Sequence, residues 1–420
     1  MGLHVLSLYN SLTRQVEQFR PLKEGEVKMF TCGPSIYQRP HIGNYRTFLF
    51  EDVLQRYLEY RGYTVTRALN CTDVEEKSIL EAKKHSMDVL ELTGKYSKLF
   101  FQDLALLKIR PPTFNPRSST SIDHAVDIIQ DLLEKGYAYW YRGNVYFDPL
   151  KFDDFGKLGR PDLSRWPKTR RRFHRDTYPG NYWNLGDFIL WHGYREADTV
   201  YWDTSIGRGR PAWNVQDPAM VLQTLGPSLD ICCGGEDNMV RHHDYTIAIV
   251  ESVTGKKMAN YWLHGAHLLV DGRKMSKSKG NVVYPDDLLD AGYTAEEIRF
   301  FLLYGSYRKR LNFTYKKLNQ TSDKLRQTCE MIGNIQRGSE GVEMSDSVIT
   351  HLIEQLKSDF ERNMDNDLDV KQAVDDLMHM LSDLIRLARN NKISSDDANK
   401  ILFTLTNIEN VLQILRLSGT

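Results

Sequence analysis

Two short strings of this chain carry residues suited to phosphate chemistry: His41-Ile42-Gly43-Asn44 and, much later, Lys274-Met275-Ser276-Lys277-Ser278. A histidine and a side-chain amide just after Pro40 can donate to phosphate oxygens, and Gly43 lets a nucleotide come close to the backbone. Lys274 and Lys277 stand in a polar loop after the apolar run Leu268-Leu269-Val270 and the turn Asp271-Gly272. Their ammonium groups can follow charge as it develops on a leaving pyrophosphate. The second string has a chance occurrence of about one in ten thousand in a chain of this length. His-Ile-Gly-Asn alone is weak, and a solvated loop with two lysines is the plain alternative. The pair, in this order, reads as the two halves of an ATP site.

The elements around these strings are those needed to position them. Residues 27–32 form an apolar, β-prone run, Gly33-Pro34 breaks it, and a helical pattern then runs through Phe48, Val53, Leu54, Tyr57 and Leu58. Strand, turn and helix in that order present a helix N-terminus whose free N–H groups donate to phosphate oxygens. Strand-like and helical patterns alternate from about 26 to 145, with helices expected at 45–61, 74–84, 88–107 and 121–135, which predicts a parallel sheet. Residues 140–205 are rich in Tyr and Trp, with short strands expected at Asn144–Phe147 and Phe188–Trp191; they read as an insertion between two halves of a nucleotide-binding sheet. The pattern resumes near Trp213 and runs to Gly234-Gly235-Glu236-Asp237. Glycines that give room, followed by a carboxylate that accepts from ribose hydroxyls, suit a ribose-binding edge, although a simple turn explains the same residues. From 295 onward the pattern is all helix, at 295–303, 314–335, 346–364, 368–389 and 395–417, an amphipathic bundle whose apolar stripes face a core.

Composition narrows the class. The chain has 420 residues, 41% hydrophobic and 26% charged, as in ordinary globular proteins with two or three domains. It has no apolar run long enough to span a membrane, no secretory leader pattern and no myristoylation signal, so a cytoplasmic protein is expected. Five cysteines (Cys32, Cys71, Cys232, Cys233 and Cys329) do not suggest a disulfide framework. The net charge is zero, which removes any global electrostatic argument for a nucleic-acid partner. The one dense basic block, Lys168 to Arg175, either grips an RNA end or is a solvated loop.

The chain resembles the class I aminoacyl-tRNA synthetases, specifically the cysteinyl branch. The resemblance rests on the two strings above and on Tyr9 to Gln15, Phe30-Thr31-Cys32-Gly33-Pro34, Arg39 to Phe48, Asn70-Cys71-Thr72-Asp73-Val74-Glu75-Glu76-Lys77, Gly209-Arg210-Pro211-Ala212-Trp213 and Asp237 to Asp244, all in family order over roughly residues 3–385. It implies an α/β fold: a Rossmann-like parallel sheet with an inserted subdomain, followed by a C-terminal all-α helical bundle. The expected divisions are 1–139 (first half of the catalytic domain), 140–205 (insertion, near the acceptor end of tRNA), 206–294 (second half) and 295–420 (bundle). The implied activity is adenylation: an amino-acid carboxylate attacks the α-phosphate of ATP, with Mg²⁺ on the phosphates, and the acyl group passes to an acceptor. His41, Asn44, Lys274 and Lys277 would be catalytic. Gly43, Gly235, Asp237, Ser276 and Ser278 would bind the nucleotide, and Thr72, Asp73 and Trp213 the amino acid.

The family holds zinc with two cysteines, a histidine and a glutamate. Here the corresponding positions are Cys32, Asp217, His242 and Thr246, so two of the four differ. Asp217 can still ligate through oxygen, whereas Thr246 is a poor ligand. Either a rearranged site forms from Cys32, Asp217, His242 and one of Cys232 and Cys233, or no metal binds and the cysteines are small buried residues. Without zinc little separates a thiol from the hydroxyl of serine, so a different amino acid becomes plausible. Asn44 replaces the second histidine of the family's first motif, keeping a donor. Family members continue into a small anticodon-reading domain, whereas this chain stops at Thr420, so anticodon readout of the usual kind is expected to be absent. These departures favour a specialised paralogue with an altered amino acid or acceptor, such as a tRNA-independent amide ligase that uses a small amine in place of the tRNA acceptor stem. A genuine cysteine–tRNA ligase and a silent ATP- or RNA-binding paralogue are the alternatives. Neither a membrane nor DNA is expected as a partner.

Overall fold

The computed structural model describes residues 5–160, 187–276, 279–337, 347–389 and 393–417. A hairpin of β1 (Ser7–Asn10) and β2 (Gln15–Gln18) precedes the unit β3 (Glu26–Thr31), α1 (Ile42–Tyr60) and β4 (Thr64–Leu69). Helices α2 (Glu76–Lys84), α3 (Val89–Leu106) and α4 (Ile122–Glu134) follow. In α4 the buried Ile122, Ala125, Val126, Ile129 and Leu132 recur at helical spacing, and in α3 the Asp88 carboxylate accepts from the first-turn N–H groups of Leu90 and Glu91 at 2.8 and 3.2 Å.

Next come β5 (Ala138–Tyr141), β6 (Asn144–Phe147), β7 (Phe188–Gly193), β8 (Trp202–Thr204) and β9 (Gly207–Pro211), which pair antiparallel in the order β5-β6-β7-β9-β8. Helix α5 (Trp213–Thr224) was not marked by the sequence pattern. Pro218 sits inside it, and every residue from Trp213 to Val221 is buried, so no amphipathic stripe betrays it. Strand β10 (Leu229–Gly235) leads through a π-helical turn, Met239–His243, into α6 (Asp244–Thr254) and β11 (Ala259–Gly265). The four strands β11-β10-β3-β4 form a wholly parallel sheet, and the antiparallel sheet is inserted between its two pairs. β10 and β11 are buried along nearly their whole length, whereas β3 and β4 are buried on consecutive residues only toward their carboxyl ends.

The remainder is β12 (Leu268–Val270), β13 (Arg273–Lys274), α7 (Pro285–Asp290), α8 (Ala295–Leu303), β14 (Leu311–Phe313), α9 (Tyr315–Arg337), α10 (Ser347–Asp365), α11 (Val370–Arg389) and α12 (Ser395–Leu412). The expectation of nothing but helix beyond 295 needs one correction: β14 lies between α8 and α9 and pairs parallel with β12. A three-residue strand completed by a distant partner leaves no periodic signal of its own. Thr294 and Glu297 cap α8 reciprocally, Glu297 N donating to Thr294 Oγ1 at 3.3 Å and Thr294 N to Glu297 Oε2 at 3.0 Å. One continuous apolar core joins α1 and its face of the parallel sheet to α8 and to α9 through α12.

Candidate active site

The carboxyl ends of β3, β4 and β10 and the N-terminus of α1 open onto one cleft of about 670 Å³, the place where an open α/β sheet binds ligands. His41 is the N-cap of α1, with extended backbone (φ −106°, ψ 171°). Asn44 Oδ1 accepts from His41 N at 3.0 Å. Because its oxygen is engaged by the backbone, the Asn44 side chain offers its NH₂ as a donor at the cleft wall. Gly43 lines the cleft as well, and a Cβ there would lie 3.0 Å from His41 Cε1, so the missing side chain also makes room for the imidazole.

Lys274 is not in a free loop. It ends the β12–β13 hairpin, paired opposite Leu269, with Asp271 and Gly272 both at positive φ (48° and 75°) as a two-residue hairpin turn requires. The hairpin is pinned by β14: Asp271 N donates to Phe313 O at 3.1 Å and Gly272 N to Asn312 Oδ1 at 2.7 Å. Lys274 is exposed and lines the cleft, Met275 beside it is buried, and Ser276 N donates to Asn281 Oδ1 at 2.9 Å. Lys277, Ser278 and the basic block 168–175 lie outside the described residues.

On the opposite wall β10 ends at Gly235, with Asp237 in the turn beyond. A Cβ on Gly234 would sit 2.8 Å from the His243 ring, and one on Gly235 would sit 2.7 Å from Asp237 Oδ1. The glycines therefore admit neighbouring side chains, and the Asp237 carboxylate folds back over the strand end.

The third wall carries the three residues expected to meet a metal. Cys32 follows β3, Asp217 lies in α5, and His242 lies in the π-turn after β10. His242 Nε2 is 2.7 Å from Asp217 Oδ2 and 3.2 Å from Cys32 Sγ, and Cys32 Sγ is 3.5 Å from Asp217 Oδ2. The Trp213 indole stacks on the His242 ring, centroids 5.5 Å apart. Burial pushes the Cys32 thiol well above its usual range, and the neighbouring Asp217 adds to this. For His242 burial acts downward, but Asp217 beside it more than offsets that and holds the imidazole above its usual value. One sulfur, one nitrogen and one carboxylate oxygen converging at the edge of a cleft fit a zinc site of three protein ligands with one position open. The side chains hydrogen-bond to one another; around an ion the N···O separation would widen to about 3.3 Å.

Thr246 takes no part, its hydroxyl donating to His242 O at 2.9 Å. Cys232 and Cys233, adjacent in β10, are fully buried on opposite faces, and neither joins the three donors among the described residues. All five cysteines are free.

Of the amino-acid candidates, Thr72 and Trp213 line the cleft. Asp73 does not, and this corrects the expectation for it. Its carboxylate is buried and accepts from Ser118 Oγ at 2.8 Å, Ser119 N at 2.9 Å and Ser119 Oγ at 2.6 Å, tying the turn after β4 to the turn before α4. Sequence reasoning assigned no role to Asn70, Glu75 or Lys77, although all three stand in the string that carried the resemblance. Glu75 and Lys77 line the cleft, and the Lys77 ammonium sits 5.5 Å from the Tyr37 ring centroid. Arg39 lines the cleft too, its guanidinium held by Asp103 (2.6 and 3.0 Å) and Asp286 (2.5 Å).

This sequence and fold have counterparts among known proteins. A family model described as tRNA synthetases class I (C) catalytic domain matches residues 18–323. A protein of Brachyspira hyodysenteriae described as cysteine–tRNA ligase is 36% identical over 416 residues, 98% of this chain and 87% of the relative. One of the same description from Chlamydia pneumoniae is 38% identical over 420 residues, again 98% of this chain and 87% of the relative. Among solved structures, Mycobacterium tuberculosis methionyl-tRNA synthetase in complex with methionyl-adenylate superposes with a TM-score of 0.67 at 14% identity, covering 92% of each chain. A LeuRS from Agrobacterium radiobacter, in a ternary complex with tRNA and LeuAMS, gives 0.67 at 11% identity over 94% of this chain and 85% of the other. At these identities the structural likeness concerns the fold alone.

Proposed function

This chain belongs to the cysteinyl family of class I aminoacyl-tRNA synthetases, and from that membership we propose that it activates cysteine with ATP and transfers the acyl group to tRNA. A carboxylate oxygen of the amino acid attacks the α-phosphorus, the O–P bond forms as the bond to pyrophosphate breaks, and aminoacyl-AMP results; a ribose hydroxyl of the acceptor then attacks the acyl carbon and releases AMP. On this reading His41 and the Asn44 amide donate to the phosphates, and Gly43 keeps the imidazole folded over the start of α1. Lys274, with Lys277, Ser276 and Ser278, meets the departing pyrophosphate, whose charge Mg²⁺ helps to neutralise. Gly235 and Asp237 hold the ribose, and Thr72 and Trp213 border the amino acid. Cys32, Asp217 and His242 would hold a zinc ion, which supplies an affinity for a thiol that a hydroxyl does not match.

The observation that carries the proposal is the convergence of those three donors, within 4.8 Å of one another, on the same cleft as His41 and Lys274. One observation favours a second reading, a paralogue with another amino acid or a small amine as acceptor: oxygen replaces sulfur at Asp217, and Thr246 is turned to the backbone. A silent paralogue has less support, since the two ATP strings are intact. No helix among the described residues is long and apolar enough to cross a membrane.

The test is amino-acid-dependent ATP–pyrophosphate exchange across the protein amino acids, with zinc measured on the same sample. Exchange with cysteine and about one zinc per chain is expected. Exchange with another amino acid and no zinc would establish the second reading, and no exchange with any, despite ATP binding, would remove the enzymatic assignment.

A further inference from the structure

The donors of the candidate zinc site do not hold themselves in place. Asn70 is fully buried and engages one donor residue and the backbone beside another: its Nδ2 donates to Asp217 Oδ1 at 2.8 Å, and its Oδ1 accepts from Gly33 N, next to Cys32, at 2.6 Å. Its placement follows from strand register. Thr31 pairs with Leu69 across β3 and β4, so Cys32 and Asn70 are the next residues past the ends of two adjacent parallel strands. The backbones are so close there that a Cβ on residue 33 would lie 1.7 Å from Asn70 O, which only glycine allows. The amide orientation is fixed by its partners, because a backbone N–H can only donate and a carboxylate can only accept.

We propose that Asn70 is a positioning residue for metal binding: by engaging Asp217 Oδ1 it leaves Oδ2 alone to face Cys32 and His242, and by engaging Gly33 N it fixes the Cys32 backbone beside them. Of the side chains close to this shape, only an amide does both. Aspartate would set two acceptors against each other at Asp217, and alanine would leave the carboxylate free to rotate about Cβ–Cγ and Gly33 N without a partner. Loss of such an outer partner typically costs about 10- to 100-fold in metal affinity. The inference rests on the reading of Cys32, Asp217 and His242 as ligands and adds to it what orients them.

The experiment measures zinc affinity by competition with a chromophoric chelator, and the visible absorption of the Co²⁺-substituted protein, for the unmodified chain, Asn70→Ala and Asn70→Asp. Zinc affinity should fall about 10- to 100-fold in Asn70→Ala and further in Asn70→Asp, with an altered Co²⁺ spectrum and with ATP affinity unchanged. The same pair is then measured on an Asp217→Cys background. A thiolate has no second oxygen to orient, so Asn70→Ala should cost clearly less there. Should Asn70→Ala prove too unstable to purify, Asn70→Ser carries the same measurements. Unchanged zinc affinity and spectrum, or an equal cost on both backgrounds, would overturn the role of Asn70 and leave the ligand assignment standing. No zinc binding by the unmodified chain would overturn the ligand assignment itself.

Discussion

Lys274 and Asp73 were both singled out in the sequence, and their surroundings give them different work. The Lys274 ammonium is exposed at the end of a hairpin pinned by β14, next to the buried Met275, so it can approach a phosphate while its backbone stays put. If it stabilises charge that appears only as pyrophosphate leaves, Lys274→Ala should lower the kcat of exchange by about 10²- to 10³-fold and leave KM for ATP nearly unchanged. A large rise in KM with an intact kcat would instead make it a ground-state binder. Asp73 is a buried acceptor for three donors from Ser118 and Ser119. Asp73→Asn places an NH₂ among them and should cost about 2–3 kcal/mol in urea unfolding, with KM for the amino acid unaffected in the folded fraction. The family resemblance implied a pocket role for Asp73 together with its neighbour Thr72, and only Thr72 lines the cleft. Successive residues of a turn face different ways, and a string of letters does not say which.

Between elements, the inserted antiparallel sheet is locked to α2 by Glu76. Its Oε1 lies 2.7 Å from His192 Nε2 in β7 and 2.7 Å from Arg210 Nη1 in β9. Burial alone would raise the pKa of Glu76, but the hydrogen bond from His192 and then the charge of Arg210 bring it down to about 2. A carboxylate depressed on folding adds stability that is fully present above its unfolded value near 4.5 and is lost as pH falls toward 2. Tryptophan fluorescence, which reports Trp191 and Trp202 in this sheet, should therefore show a progressive loss of thermal stability from about pH 4.5 downward. Glu76→Gln should start lower at pH 7 and lack that contribution; an identical acid profile in the variant would show that the clamp adds nothing. The hairpin that carries Lys274 obeys the same logic, since its geometry depends on Asn312 and Phe313 of β14, about forty residues further along the chain.

At the scale of the whole molecule, Arg299 ties helices of the first half of the chain to the bundle. Arg299 of α8 is wholly buried and donates to Asp52 Oδ2 of α1 at 2.6 Å, to Leu107 O after α3 at 2.8 Å and to Leu412 O at the end of α12 at 2.7 Å. The Asp52 carboxylate is held below the usual range: burial acts upward, and Arg299 and then Arg56 overcome it. Removing one partner of a buried pair strands the other, so Arg299→Ala should destabilise the protein by about 3–5 kcal/mol in chemical denaturation. Because that core is shared, helix and nucleotide-cleft signals should be lost together. Separate transitions would show that the bundle folds as its own unit, in keeping with a boundary near residue 295.

Helices, and the strings His41 to Asn44 and Lys274 to Ser278 that point to an ATP site, were legible because their information is local. The patterns expected for 45–61, 88–107 and 295–303 correspond to α1 at Ile42–Tyr60, α3 at Val89–Leu106 and α8 at Ala295–Leu303, since apolar spacing and capping lie within one or two turns. The same holds for the strand and turn that deliver His41 to a helix N-terminus, and for the Asp271-Gly272 turn before Lys274. What the sequence could not decide is which side chains meet across the sheet. Gly43 makes room for the His41 ring, Asp73 serves a distant turn, β14 appears only because β12 accepts it, and Asn70 reaches Asp217 from 147 positions away. The parallel register of β3, β4 and β10 and the path of α5 settle those encounters. They are properties of packing over long sequence separations, which no local spacing encodes.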